Sequence, residues 1–399
     1  MSTLSRLVRW RRLIIGRLKI LTPLLLAAMV LGLTGRSVEL TLPMVLSSAA
    51  DAFALTNRQL GLFAMAEVLG VTLASASSVW WLRHTRPAQL AMIGVLAFVV
   101  GNAITPFVSP DWLITVRFLT ALLGEGALLI VATSLLGSAA QASRVYALYM
   151  AAQMVLGALL LGLQGELASR FSLLGVMASL VGLGLITLLA LPGVSRASNR
   201  DPDQPTGAWH SGQPTRRATL LLVAMGLFHV GVGGAWAFLQ QRGVQLGLDF
   251  GTGGWMMSFI MFSGLAGTGL AALGGSALGY RLPFWLGSIG LAVGSVLAGL
   301  VDNLLWFAAG GTLIMVGWNL VVPYQIAALG RRGPVAGQLA LVPACQGAGL
   351  AAGPMLVGWL AGDGHFAAMA GVSAISAALA LMAGIGGLRM ILPDEEKGT

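Results

Sequence analysis

Nine stretches of at least 20 residues contain no Asp, Glu, Lys or Arg: 87–110, 145–165, 171–195, 218–241, 250–280, 282–301, 303–330, 333–362 and 364–388. Each is long enough to cross a hydrocarbon layer as a helix, which takes about 20 apolar residues. Three further apolar segments, about 20–46, 58–81 and 112–138, have that length but carry Arg36 and Glu39, Glu67, and Arg117 and Glu125 respectively. Nine and three make twelve spans. Only 9% of the chain is charged, 57% is hydrophobic and the mean hydropathy is +0.85. A soluble domain carries roughly 25% charged residues, so a water-facing fold is excluded and the chain reads as an all-α polytopic membrane protein. Its 55 glycines fit helices that approach one another closely in lipid.

The net charge of +9 reports orientation rather than nucleic-acid binding, because of where the charges fall. Numbering the spans 1 to 12 puts alternate loops on opposite sides. Eighteen of the 23 Lys and Arg then lie on one side, including Arg6, Arg83, Arg86, Arg144, Arg216, Arg281, Arg331 and Arg389. Arg58, Arg170 and Arg242 lie on the other, and Arg36 and Arg117 lie inside spans. Both termini are therefore expected on the cytoplasmic side of a cell inner (plasma) membrane. The basic segment 1–19 reads as an amphipathic anchor on anionic membrane lipid. It does not read as a secretory leader, since the apolar run that follows is too long and contains Arg36 and Glu39.

Residues 195–217, SRASNRDPDQPTGAWHSGQPTRR, form the one long polar stretch, a cytoplasmic linker between a first six-helix half (20–194) and a second (218–389), with a cytoplasmic tail at 390–399. Features recur between the halves at a spacing near 190 residues. Arg83 corresponds to Arg281, Arg144 to Arg331 and Arg332, and Gln153 with Gly157 to Gln346 with Gly349.

Span 4 reads RFLTALLGEGALLIVATSLLG from Arg117, span 11 reads GQLALVPACQGAGLAAGPMLVGWLA, and span 8 ends in GGSALGYRLP. With six plus six spans and a central linker, these runs resemble the major facilitator superfamily of transporters. The resemblance covers almost the whole chain. Two departures stand out: the loop after span 2, SASSVWWLRHTRP, lacks the acid and glycines usual in that superfamily, and span 5 lacks a Gly-Pro pair. The resemblance implies alternating access by two rocking halves, a monomer, and for Arg117 a part in proton coupling or in holding a neighbouring carboxylate, with Glu39 as the first candidate partner.

Ions in hydrocarbon are costly, so intramembrane charges are expected to face the interior in partnership. Arg36 and Glu39, three residues apart, share a helix face, and Pro43, four residues beyond Glu39, frees a backbone carbonyl beside the charge. Ala121 and Gly124 follow Arg117 on a narrow face, with Glu125 beside it. Glu39, Arg117, Glu67 and Glu125 are the candidate proton-coupling residues, and fixed ion pairs locking the first half are the structural alternative. The candidate substrate wall joins Arg36 and Glu39 to His229, Trp236, Trp318, Asn319, Tyr324, Gln325 and Gln346, with Trp255 as a further aromatic. This wall suits an amphipathic organic compound. Three buried Glu against two Arg favour proton-coupled export of a small organic compound, amphipathic or cationic. Uptake of an organic anion by proton symport, or lysolipid transport, are the alternatives. Walker, HExxH and GxSxG motifs are missing, and a lone cysteine, Cys345, gives no metal spacing. Neither an enzyme, a cofactor nor a metal site is expected.

Overall fold

The structure, a computed structural model, describes residues 22–139, 141–195, 215–330, 341–362 and 366–389. The basic segment 1–19, most of the linker and the tail lie outside the described residues. Span 1 begins where Pro23 enters the first turn and the Thr22 hydroxyl accepts from the Leu25 amide at 3.3 Å. It runs as Pro23–Leu40 and, past a break at Thr41, as Leu42–Phe53. The expected end at residue 46 is therefore too early. Pro43 cannot donate to the Glu39 carbonyl one turn back, and the break falls there.

Span 2, Asn57–Ala76, opens with a reciprocal capping box between Thr56 and Gln59, and a separate short helix, Ser78–His84, follows it. Span 3 is Pro87–Ile104. Span 4 is not the continuous α-helix expected over 112–138. It runs Pro110–Thr120, widens into a π-helical turn at Ala121–Glu125, and resumes at Gly126–Gly137. Spans 5 and 6 follow one another directly within Ala142–Thr187, two helices that meet at a sharp turn at Ser172 (φ 49°, ψ −139°) rather than in a loop at 166–170.

Spans 7 to 12 are Arg216–Gln245, Phe250–Gly274, Arg281–Leu300, Leu304–Leu329, Val342–Leu360 and Ala367–Arg389. Ten helices among the described residues are long and apolar enough to cross a membrane, one of them uniting spans 5 and 6. The protein is a multi-pass membrane protein.

The repeat seen in the sequence has a packing counterpart. A Cβ at Gly157 of span 5 would touch Leu40 of span 1, and one at Gly349 of span 11 would touch His229 and Val230 of span 7. The approach is tighter in the second half, where the Gly349 Cβ would run into the Gly226 carbonyl oxygen, whereas that of Gly157 would stand 3.3 Å from Leu40 Cβ.

At the end of the bundle away from the linker the two halves close on glycines. Gly61 lies against the Pro354 carbonyl and Gly358, and Gly165 against the Phe250 carbonyl and Gly254, with added Cβ atoms meeting backbone at 2.6 to 3.2 Å. Asn57 Nδ2 donates to the Gly362 carbonyl at 2.9 Å. Toward the linker spans 2 and 11 stay in contact at Thr72 and Gly347, whereas spans 1 and 7 become more exposed. Along span 1 a half-exposed stripe, Leu33, Arg36 and Glu39, gives way to an unbroken buried run, Leu40–Ala49. Along span 7, Thr219, Val223, Gly226 and Val230 keep exposure, whereas Gly231–Gln240 are all buried. Spans 1 and 7 are therefore buried throughout these runs and partly exposed toward the linker.

Candidate functional site

Two groups of intramembrane charge form, one inside the first half and one at the seam. The first is built on Arg117, which is 0% exposed. Its Nε and Nη2 each donate at 2.9 Å to one carboxylate oxygen of Glu67, a bidentate pair. Nη1 donates to Asn102 Oδ1 at 2.9 Å and to Thr105 Oγ1 at 3.3 Å, and the guanidinium carbon lies 5.9 Å from the Phe63 ring centre. Nη2 also reaches Glu125 Oε1 at 3.5 Å. The expected partner, Glu39, is not part of this cluster. Spans 2, 3 and 4 crowd around Arg117, and Glu39 on span 1 is engaged elsewhere.

The π turn explains why Glu125 joins. Eight residues of ideal α-helix would rotate Glu125 about 80° away from Arg117. The wider turn takes up one extra residue between them and brings both onto one face. The close packing needs small residues, of which sequence reasoning picked out Gly124 and not Gly70. A Cβ on Gly124 would meet the Phe98 backbone nitrogen of span 3 at 2.8 Å, and one on Gly70 of span 2 would meet the Phe118 carbonyl at 2.7 Å. Glu125 Oε2 is buried without a hydrogen-bond partner.

The second group is at the seam. Arg36 Nη1 donates to Glu39 Oε2, one turn along span 1. The carbonyl of Glu39, which Pro43 leaves without its helical donor, accepts from Trp236 Nε1 of span 7 at 3.2 Å. A second-half indole thereby reads the break in span 1. Tyr149 of span 5 packs over Gly32, one turn before Arg36 on span 1. His229 Nδ1 bonds the Met225 carbonyl at 2.8 Å, and its ring meets Trp318 edge-on at 6.2 Å.

The other wall residues divide. Asn319 donates to Met315 of its own helix at 3.0 Å. Gln346 is half-buried with an unpartnered Nε2, and Gln325 is buried with an unpartnered Oε1. The Tyr324 hydroxyl donates to the Gly275 carbonyl at 2.8 Å, tying span 10 to the end of span 8. Trp255 stands on the outside of the seam, where its indole donates to Glu166 Oε1 at 3.0 Å. Sequence reasoning passed over Asn102 and Thr105, although both are polar residues inside the uncharged stretch 87–110. It also passed over Tyr149 and Gly35, which only tertiary packing brings to these groups. Among the described residues no cluster of His, Cys, Asp and Glu is arranged to hold a metal ion.

No family model and no curated protein matches the sequence. Solved structures do. The nucleoside transporter NupG superposes with a TM-score of 0.73 at 11% identity, over 92% of this chain and 99% of that one. A bacterial homologue of the human lysosomal transporter Spinster, in an inward-facing and unoccupied conformation, gives 0.66 at 16%, over 91% and 94%. A D-xylose–proton symporter gives 0.67 at 16%, over 94% and 98%. At these identities the likeness concerns the fold, and with twelve spans parting at a central seam the chain has the fold of the major facilitator transporters.

Proposed function

We propose that this protein is a proton-coupled secondary transporter of a small organic compound, in which the two six-span halves rock about the Arg36–Glu39 seam. The observation that carries the reading is the fully buried Glu67–Arg117–Glu125 cluster, in which two carboxylates share one guanidinium. Both carboxylates ionised leave the cluster with one net negative charge, and a single proton on Glu125 makes it neutral. Glu125 suits that role, since Glu67 holds the bidentate position and Glu125 Oε2 has no partner. The three-Glu argument for a cationic substrate weakens, because two of the three are committed to Arg117. The excess of Lys and Arg on one side supports a cytoplasmic location for the termini and the linker of a plasma-membrane protein, with the linker end of the seam facing the cytoplasm. A monomer suffices for this mechanism.

Reconstitution into liposomes with an imposed pH gradient tests the reading. The probes are radiolabelled organic acids, organic cations, nucleosides and sugars. Accumulation against a proton gradient by exchange marks export, and accumulation along it marks symport. Glu125→Gln is expected to abolish accumulation while gradient-free counterflow of the same probe persists. Accumulation by Glu125→Gln at the wild-type level would reduce the cluster to a structural ion pair.

A further inference from the structure

Once Glu67 and Glu125 are assigned to Arg117, the seam retains one cation and one anion, Arg36 and Glu39. They are not equally presented. The Arg36 side chain is 36% exposed and that of Glu39 14%, so Arg36 is the more accessible of the two. An arginine carries five N–H donors in a planar fork, and the bond to Glu39 uses Nη1. Among the described residues Nε and Nη2 of Arg36 donate to no carboxylate, which leaves a second edge of the fork for an incoming anion. The pair is also intrahelical, so it opens by side-chain rotation without moving a span.

The surroundings add donors and an aromatic face. The buried Tyr149 hydroxyl packs over Gly32, one turn before Arg36 on span 1. Gln346, on span 11, has a buried and unpartnered Nε2 donor next to Gly347, which packs against Thr72 of the first half. Trp318 stands edge-on to His229, giving a wall for a planar apolar body.

We infer that the seam binds an organic acid, whose carboxylate is gripped by the Arg36 fork, and that Glu39 is a built-in competitor occupying Arg36 when the site is empty. This inference names the substrate class for the transport reading and rests on it. A guanidinium fork matches a carboxylate in two parallel bonds, which makes a substrate acid a better partner than the single bond from Glu39. Glu39 keeps the buried charge paired between cycles, and so lowers the affinity of the empty state without abolishing it.

Ligand-dependent thermal stabilisation of the purified full-length protein tests this, because binding to the native state raises its stability by mass action. The probes are benzoate and succinate, with benzamide and tetraethylammonium as controls. Benzoate or succinate is expected to stabilise the wild type, and neither control should. Arg36→Gln is expected to lose the effect, and Arg36→Lys to weaken it, since an ammonium keeps the charge without the fork. The decisive variant is Glu39→Gln. Removing the competitor is expected to lower the Kd for the carboxylate roughly tenfold, a gain of about 1.4 kcal/mol. Stabilisation by tetraethylammonium that disappears in Glu39→Gln would overturn the inference in favour of a cation site. Carboxylate stabilisation that survives Arg36→Gln, or its absence from both wild type and Glu39→Gln, would overturn it as well. Binding is read here without a gradient, so a failed carboxylate site and a failed proton cluster are separate results.

Discussion

Gly35 of span 1 lies directly against the backbone of Glu125 in the π turn of span 4: a Cβ there would stand 2.8 Å from the Glu125 carbonyl oxygen and 2.9 Å from Leu129 Cγ. Gly35 precedes Arg36, so the backbone that carries the proposed proton site touches the backbone that carries the seam charge. Any change in the π turn is passed to span 1 through this contact. Gly35→Ala is expected to cost about 1–3 kcal/mol by overpacking against a backbone that cannot yield as a side chain does. It should also reduce pH-driven accumulation more than counterflow in liposomes. Unchanged stability would mean that span 1 shifts freely there.

Among the described residues Arg117 is the one cation paired with the buried Glu67 and Glu125, so Arg117→Leu leaves both carboxyl groups without a counter-charge. The expected loss is about 3–5 kcal/mol, the cost of breaking a buried ion pair by removing one partner. Arg117→Lys should lie between, because an ammonium cannot hold Glu67 in two parallel bonds while reaching Asn102 and Thr105. Thermal unfolding of the three proteins in one detergent checks the order.

Arg242 ties the end of span 7 to the turn between spans 9 and 10. It is 4% exposed and donates to the carbonyls of Ala298 at 3.2 Å and Val301 at 3.3 Å, and to Asp302 at 2.5 Å. Asp302 is 84% exposed, so the ion pair itself contributes little and the carbonyl bonds carry the effect. Arg242→Ala should therefore destabilise by about 1–3 kcal/mol, whereas Asp302→Asn should be nearly neutral. A larger effect in Asp302→Asn than in Arg242→Ala would reverse this assignment.

Ser172 holds a positive φ of 49° where spans 5 and 6 meet, a region favourable only to glycine. Its hydroxyl donates to Asp51 Oδ2 at 3.1 Å on the exposed surface, a weak compensation. Ser172→Gly is expected to raise stability by about 1 kcal/mol, seen as a higher midpoint of thermal unfolding. A fall would show that the Asp51 bond outweighs the backbone strain.

Asp249 caps span 8 through bonds to the Thr252 amide at 2.8 Å and the Thr252 hydroxyl at 3.0 Å, and these hold its carboxyl below the ordinary range. A carboxyl depressed in the folded state contributes stability that is present above its unfolded pKa, about 3.9, and is lost as pH falls through the folded value. Asp249→Ala should thus be less stable than wild type at neutral pH, and the gap should close under more acid conditions than pH 4. A pH-independent gap would assign the effect to the helix cap without its charge.

The sequence by itself determined the number and approximate position of the spans, because hydrocarbon tolerates only long uncharged helices and that demand is local. It also placed Arg36 and Glu39 on one face, since three residues of helix suffice, and it located the carbonyl freed by Pro43. What captures that carbonyl, Trp236 from 197 residues away, was decided by how the halves meet. The partner of Arg117 was likewise decided in three dimensions. Glu67 lies 50 residues from it, and no periodicity connects spans 2 and 4. Glu125 reaches it only because the helix widens into a π turn, an irregularity that apolar patterning does not record. The turn at Ser172 escaped for a related reason, since nothing in its neighbours' hydropathy marks a single strained residue. Local rules of hydration and helix geometry fix the spans, whereas charge pairing and closure at the seam depend on glycine contacts between distant helices.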